Sequence, residues 1–466
     1  MPAIHDFPTW ETLLRLVQES NAERLAAPGG FVTGQISRGS WSVPLRRPGP
    51  RPGRAAQVGD MQAEFDVVRR VQSALADAGA DRASFMVETP EAGKARLHLF
   101  DAGPAVESGF SGAYLGALVL VEGSVAEPRR RLPDSVRGAV PAPSADAALL
   151  ERTLRDRLPD AVGATEAEIA ETESRLGITL PDELKALYRV TRSRWEDYGD
   201  DHEAVIRVVK AVGCELFALD EVYVSDAACR PCLWEFAAMS AVETPSDAAV
   251  QGLVGSPGWI VFGDTGGGDR IAVDLTPGPG GHLGQVIVMS HEEHCGADLI
   301  ADSVTDMVLD RRPEEGHAAG RETRPPAVAW VNARSIPSVA AAAHPGLEAL
   351  SIGVWEEAPL SLEPVIGLPR LRTLKAYPGT LADPLEIAQL TGLGFLELGP
   401  EEWRVLLDAG AVPRSLSAAA IEIHCDRNPL PIVALANELL ALWGRPLITR
   451  TILEGDLGPG REAGGR

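Results

Sequence analysis

Between residues 347 and 421 the pattern apolar-x-x-apolar-x-apolar returns at a nearly constant interval, and it constrains the fold more than any other feature of the sequence. The copies are Leu347/Leu350/Ile352, Leu371/Leu374/Ala376 and Leu393/Leu396/Leu398, then a degenerate Leu416/Ala419/Ile421, at successive offsets of 24, 22 and 23 residues. A repeat of that length means one supersecondary unit per copy, which cannot bury its own apolar face and must stack on its neighbours. Each copy is therefore expected to give one strand. Asn428 and Pro429 then open a helix through Leu435, Leu439 and Trp443, ended by Gly444 and Pro446 and placed to cap the open end of the stack.

This array resembles leucine-rich repeats, short of the Asn or Cys that usually follows the strand. The resemblance assigns residues 327–454 to a leucine-rich-repeat-like domain with a terminal helix. Residues 455–466 read as a disordered tail, and 313–326, rich in Pro, Glu and Arg, as a linker.

At about 150 residues per domain, 466 residues suggest about three domains. Charge divides them. The chain holds 43 Lys and Arg against 66 Asp and Glu, a net charge of −23. Residues 161–312 account for most of it, with 11 basic and 27 acidic side chains. Such a field repels phosphates, so neither nucleic acid nor an anionic lipid surface is an expected partner, whereas a basic protein would be steered in. The apolar run Leu115 to Val121 is far short of the ~20 residues that span a bilayer. The stretch from Met1 to Asp6 has no basic region ahead of an apolar core. Five cysteines, an odd and sparse set, suit a reducing compartment. A cytoplasmic location is expected. Only four of the basic residues are Lys, which with the abundant Ala, Gly and Pro points to a GC-rich bacterial genome.

The overall expectation is an α+β multidomain protein. Residues 1–127 read as an α+β domain of unassigned role. Thr9 is placed to cap a helix whose Trp10, Leu13, Leu14 and Val17 share one face. Strands are expected at Phe31 to Ser37 and Ser40 to Leu45, followed by a solvated loop holding Arg46, Arg47, Arg51 and Arg54. A second helix from about Asp60 to Ala78 presents Met61, Phe65, Val68 and Leu75 and stops at Gly79. Strands at Ala83–Glu88, Lys94–Phe100 and Leu115–Val121 follow. Residues 128–160 read as a linker and a helix.

The middle segment, 161–312, opens on a capping box: Thr165 caps an early amide and Glu168 reaches back. Ile169, Thr172, Glu173 and Leu176 follow, and Gly177 ends the helix. Pro181 opens a second helix with Leu184, Leu187 and Tyr188. Strands are expected at Leu216–Leu219, Trp259–Phe262, Arg270–Leu275 and Gln285–Met289, the last three as an antiparallel meander, then a helix from about Asp298 to Leu309. The order is helix–helix–antiparallel sheet–helix.

Candidate chemistry is sparse. The run Gly263 to Asp269 has the glycines of a phosphate loop, but they lead into a strand and are flanked by Asp264 and Asp269. It reads as a hairpin turn needing positive φ, with an acidic surface open to a partner. The spacing of Asp264, Asp269 and Asp274 does not fit a calcium loop, and no metal or cofactor is expected. Cys229-Arg230-Pro231-Cys232 has the spacing of half a zinc site, which His291, His294 and Cys295 could complete only by folding back to it. Incidental cysteines are the simpler reading. His291-Glu292-Glu293-His294 is one residue short of H-E-x-x-H, and no G-x-S-x-G elbow is present. A non-enzymatic protein is expected.

The signature from Thr165 to Gly177, then Leu180-Pro181-Asp182-Glu183-Leu184 and Leu187-Tyr188, resembles the opening of a SUKH domain. Trp259-Ile260-Val261-Phe262-Gly263-Asp264, Gly266-Gly267-Gly268-Asp269, Asp274 and Gly284-Gln285-Val286 resemble the sheet of the same superfamily. A departure is Ser193 to Gly213, longer and more charged than that pattern. The superfamily contains yeast cell-wall assembly regulators linked to killer-toxin resistance and bacterial immunity proteins. The resemblance implies an α+β binding module without catalysis, whose partner would be a basic, nuclease-type toxin domain. Alternatives are a regulatory scaffold of the cell-wall assembly or signalling type and a hydrolase with an acidic cleft. Asp264, Asp269 and Asp274, with Trp259 and Phe262 nearby, are the expected partner-binding residues, although alternation along one strand places at least one of the two aromatics in the core.

Overall fold

A computed structural model describes residues 4–46, 62–91, 93–108, 118–198, 201–230, 232–311, 325–423 and 427–458. Arg47, Arg51 and Arg54 of the arginine loop, Met61, Leu115, most of the 313–326 linker and Cys425 lie outside them. The chain divides into two compact units: Met1–Ser124, Ile352–Ile366 and Leu374–Arg466 form one, and Val125–Ser351 with Gly367–Thr373 the other.

The first unit is built on a sheet whose strands run in the order Thr449–Asp456, Lys94–Asp101, Arg82–Glu88, Phe31–Ser37, Trp41–Ser42. Helices Phe7–Ser20 and Gln62–Asp77 bury Trp10, Leu13, Leu14, Val17, Val68, Val71 and Leu75 against Val32, Ile36, Phe85, Val87 and Leu97 of that sheet. The apolar face expected for the first helix is thus the buried one. Its start is not the expected one: the helix begins at Phe7 with Pro8 in its first turn, because proline needs no amide partner there, and Thr9 is already helical. The expected strand from Ser40 to Leu45 shrinks to Trp41–Ser42.

The reading of residues 455–466 as a disordered tail is corrected at its start. Gly455 and Asp456 end an eight-residue strand that pairs antiparallel with Lys94–Asp101, Thr449 opposite Asp101 and Asp456 opposite Lys94. Leu457 beyond it is buried in the same core. Residues 459–466 lie outside the described residues. In the same unit, Phe395–Leu398, Ala418–Ile421, Leu118–Val121 and Val106–Ser108 lie in that order in a second sheet. Phe395–Leu398 and Ala418–Ile421 are parallel, in register from Phe395/Ala418 to Leu398/Ile421. Leu393, Leu396, Leu398, Leu416, Ala419 and Ile421 are all buried. The edge of Ala418–Ile421 that faces away from this parallel pairing is taken by the antiparallel Leu118–Val121. The end of the parallel run is therefore closed by a strand, and the helix Pro429–Leu442 does not occupy that edge.

The second unit holds the acidic segment. Its sheet runs Asp298–Ala301, Gln285–Met289, Arg270–Asp274, Trp259–Asp264, Glu215–Leu216, with Tyr223–Val224 also pairing with Trp259–Asp264, and all these pairs are antiparallel. Strand alternation gives the sheet two apolar faces. Ile260, Phe262, Ile271, Val273 and Val286 pack beneath helices Ala147–Arg157, Asp182–Val190, His202–Val212 and Val304–Val308. Trp259, Val261, Ala272, Ile287 and Met289 pack with Leu253, Phe217 and Tyr223 on the other face. The long segment after the second helix is accounted for by His202–Val212, which contributes Val208, Ala211 and Val212 to the core. The closing helix is shorter than expected: Asp298–Ala301 is an edge strand against Gln285–Met289, and Ser303 caps a helix that spans only Val304–Val308.

Candidate functional site

The turn between Trp259–Asp264 and Arg270–Asp274 is folded by its own first residue. The Asp264 carboxylate accepts from the amides of Gly266 (2.6 Å) and Gly268 (3.2 Å) and pairs with Arg270, whose guanidinium lies over the Phe217 ring. Gly266 (φ +83°) and Gly268 (φ +101°) occupy the left-handed region that side chains resist. Gly263 serves close approach instead, since a Cβ there would lie 2.9 Å from both the Cys214 sulfur and the Glu215 carbonyl oxygen.

Asp269, at the far side of the turn, reaches the loop after Gln285–Met289. It accepts from the His291 amide (2.9 Å) and ring Nδ1 (2.7 Å), and these bonds hold its carboxyl below the usual carboxylate range. The bond fixes His291, and with it the exposed Glu292 and Glu293, beside the turn. Glu215, opposite Asp264 in the neighbouring strand, is exposed with a carboxylate oxygen facing Gly266. One end of the sheet thus presents Glu215, Asp269, Glu292 and Glu293.

The helical side of the unit has a different electrostatic character. Glu166 pairs with Arg189 (2.6 Å), Glu173 with Lys185 (2.7 Å) and Asp197 with Arg192 (2.7 Å), while Arg194 lies 3.3 Å from Glu168. Those carboxylates are matched by cations of the same face.

Of the five residues expected to bind a partner, four have little or no surface to offer. Trp259 and Phe262 lie in the cores on opposite faces of the sheet, so both aromatics are core, one more than alternation required. Asp274 is fully buried and bonded to Thr276 and Gln285. Asp264 is buried and spent on its own turn. Asp269 alone of the five keeps a partly exposed carboxylate, about a third accessible. Glu215, Glu292 and Glu293 were not singled out by sequence reasoning; the signal was the pairing of neighbouring strands, which places them beside the turn.

The three aspartates do not converge. Among the described residues no group of three or more His, Cys, Asp or Glu side chains is placed to hold a metal ion. Cys229 and Cys232 have different neighbours: the Cys229 thiol lies 3.4 Å from the Val224 carbonyl oxygen, and the Cys232 sulfur lies 3.9 Å from that of Cys295. No helix among the described residues is long and apolar enough to cross a membrane.

Comparison with known proteins finds two similarities. A stretch of 78 residues is 33% identical to the glucan synthesis regulatory protein of Neurospora crassa, covering 17% of this chain and 15% of that protein. The chain thus spans under a sixth of the length of the curated relative it matches. Residues 163–310, which hold the helix pair, the antiparallel sheet and the acidic turn, match the SMI1 / KNR4 family (SUKH-1).

Proposed function

We propose that the 161–312 body is a non-catalytic docking module that captures a basic protein, a toxin-neutralising immunity protein whose target is a nuclease-type toxin domain. The observation that carries this reading is the exposed carboxylate rim of Glu215, Asp269, Glu292 and Glu293 at one sheet end, in a segment with 27 acidic and 11 basic side chains. A nuclease must be basic around its phosphate site, and a rim of this sign steers it in and occludes it. The match to the SMI1 / KNR4 family (SUKH-1) supports a binding role. The parallel strands spaced like leucine-rich repeats would add an extended surface, and the reduced thiols suit work in the cytoplasm.

The test is binding to a basic toxin domain encoded beside this protein, measured across salt concentration. Affinity should fall at least tenfold between 50 and 300 mM salt, as an exposed charge rim is screened. The double variant Glu292→Lys/Glu293→Lys should weaken it at least a hundredfold at low salt with an unchanged melting temperature. Asp264 is unsuited to this test, because its reversal would unfold the turn. Binding indifferent to both salt and reversal would refute the reading.

The name of the fungal relative favours a second reading, a regulatory scaffold for envelope synthesis. It predicts several partners of moderate affinity in place of one tight one, and little effect of the double reversal.

A further inference from the structure

Arg230 is nine-tenths buried, and the hydrogen-bond acceptors around its guanidinium are main-chain carbonyls: Gly296 (2.7 Å), Ser290 (3.1 Å), Glu293 and, at 3.5 Å, Val254. A cation held by neutral dipoles in a dry site still calls for a counter-charge. Two thiols stand beside it. The sulfurs of Cys232 and Cys295 are 3.9 Å apart, the first buried and the second half-buried. They come from distant parts of the chain, Cys232 from the entry to helix Trp234–Ala238 and Cys295 from the loop that carries His291 to Glu293.

The charged groups around the pair are Arg230 facing both sulfurs, Arg129 on the Cys232 side, Arg372 on the Cys295 side and Glu293 beside Arg230. Glu348 is occupied with Arg372 (3.3 Å) and with the amides of Val242 and Glu243. Hydrogen-bond donation to Cys295 and burial both push the Cys232 thiol up. That donation, aided by Ser240, Arg230 and Arg372, draws Cys295 below an ordinary thiol.

We propose that Cys232 and Cys295 form an oxidisable dithiol for which hydrogen peroxide is the oxidant, Cys295 being the attacking sulfur and Cys232 the resolving one. The Cys295 thiolate attacks one peroxide oxygen; the O–O bond breaks, and the departing hydroxide takes from solvent the proton that Cys295 gave up, becoming water. Cys232 then attacks the sulfur of the resulting sulfenic acid. The S–S bond forms, the S–O bond breaks, and the second hydroxide leaves as water with the proton from Cys232. Two thiols lose two electrons and one peroxide becomes two waters. Side-chain rotation must bring the sulfurs from 3.9 Å to about 2.05 Å. A small oxidant suits a half-buried sulfur. The product ties the helix entry to the loop of Glu292 and Glu293, and its formation does not depend on what that loop binds.

The experiment uses the reduced full-length protein with one equivalent of hydrogen peroxide at pH 7, quenched with N-ethylmaleimide and mapped by peptide mass spectrometry. The expected result is a Cys232–Cys295 cross-link, with two of the five thiols lost and Cys214, Cys229 and Cys425 still alkylated. In Cys232→Ser, a sulfenic acid at Cys295 should persist and be trapped by dimedone. In Cys295→Ser, oxidation at Cys232 should slow at least tenfold. The pH profile of iodoacetamide reaction at Cys295 should have its midpoint below the ordinary thiol value of about 8.5, with that of Cys229 above it. Five intact thiols, a cross-link through another cysteine, or oxidation of Cys295 no faster than of the exposed Cys229 would each overturn the proposal.

Discussion

The Asp274 carboxyl lies wholly inside the second unit, yet it accepts from the Thr276 amide (2.7 Å), the Thr276 hydroxyl (3.1 Å) and the Gln285 side chain (2.9 Å). Burial outweighs those bonds and pushes its pKa up to about 6. An acid raised in the folded state binds its proton there while the unfolded chain, near 3.9, has already lost it. Folding stability from this group therefore falls as pH rises from about 4 to about 6, by about 3 kcal/mol at 1.36 kcal/mol per unit. Asp274→Asn has no such term, whatever constant offset its altered bond to Gln285 brings. Urea unfolding of both proteins between pH 4 and 7 should show the stability difference moving about 3 kcal/mol in favour of the variant, and a flat difference would contradict it. The residue also shows why equal spacing does not give equal exposure along the acidic row. Asp264, Asp269 and Asp274 recur every five residues in sequence, but Asp269 and Asp274 bracket a strand whose ~3.3 Å rise per residue sets them about 17 Å apart. Spacing alone does not say that one end of that strand is solvent and the other core.

Helix Glu166–Leu176 owes both its boundaries to side chains close in sequence, which is why it was legible without the fold. The Glu168 amide donates to the Thr165 hydroxyl (3.2 Å) while the Glu168 carboxylate accepts from the Thr165 amide (2.8 Å), and Gly177 closes the far end at φ +68°. Thr165→Ala removes the first bond at a cost of about 1 kcal/mol. Gly177→Ala meets no atom within 4 Å but forces a side chain into the left-handed region, again about 1 kcal/mol. The two sites are about 18 Å apart along the helix, too far to share a partner, so their effects should add. Chemical denaturation of the double variant should show a loss of about 2 kcal/mol, and a clear departure from the sum would mean the helix ends are coupled. Asp298–Ala301 is the opposite case. Its Ile300 falls at helical spacing from Val304, and only the partner strand at Val286–Val288 decides that these residues extend the sheet. A short apolar segment satisfies either period until its neighbour is known.

At the scale of the molecule, the pairing that most defeats sequence reasoning is that of Thr449–Asp456 with Lys94–Asp101, since more than three hundred residues separate the partners. Nothing local marks the later strand: its outward side chains are exposed, it contains a glycine, and it precedes a Gly-rich end that reads as a tail. Its inward positions explain it. Leu453 packs against the core of the first unit, and at Gly455 a side chain would meet the Phe7 ring, with a Cβ placed 2.1 Å from it. Only glycine lets the last strand pass over the first helix there. Arg96 adds an ion pair to Glu454 across the ladder (2.6 Å) at an exposed site, where such a pair contributes little. The strand therefore depends on backbone pairing and on that close passage. Gly455→Val should pry it away from Phe7, and hydrogen exchange should then lose protection along Lys94–Asp101 and Thr449–Asp456. Trp259–Asp264, in the core of the other unit, should keep its protection. Glu454→Ala, which removes the ion pair and leaves the passage intact, should shift exchange in Lys94–Asp101 by less than threefold. If Gly455→Val leaves Lys94–Asp101 as protected as before, the end of the chain is an ornament on the first sheet and not its closing strand.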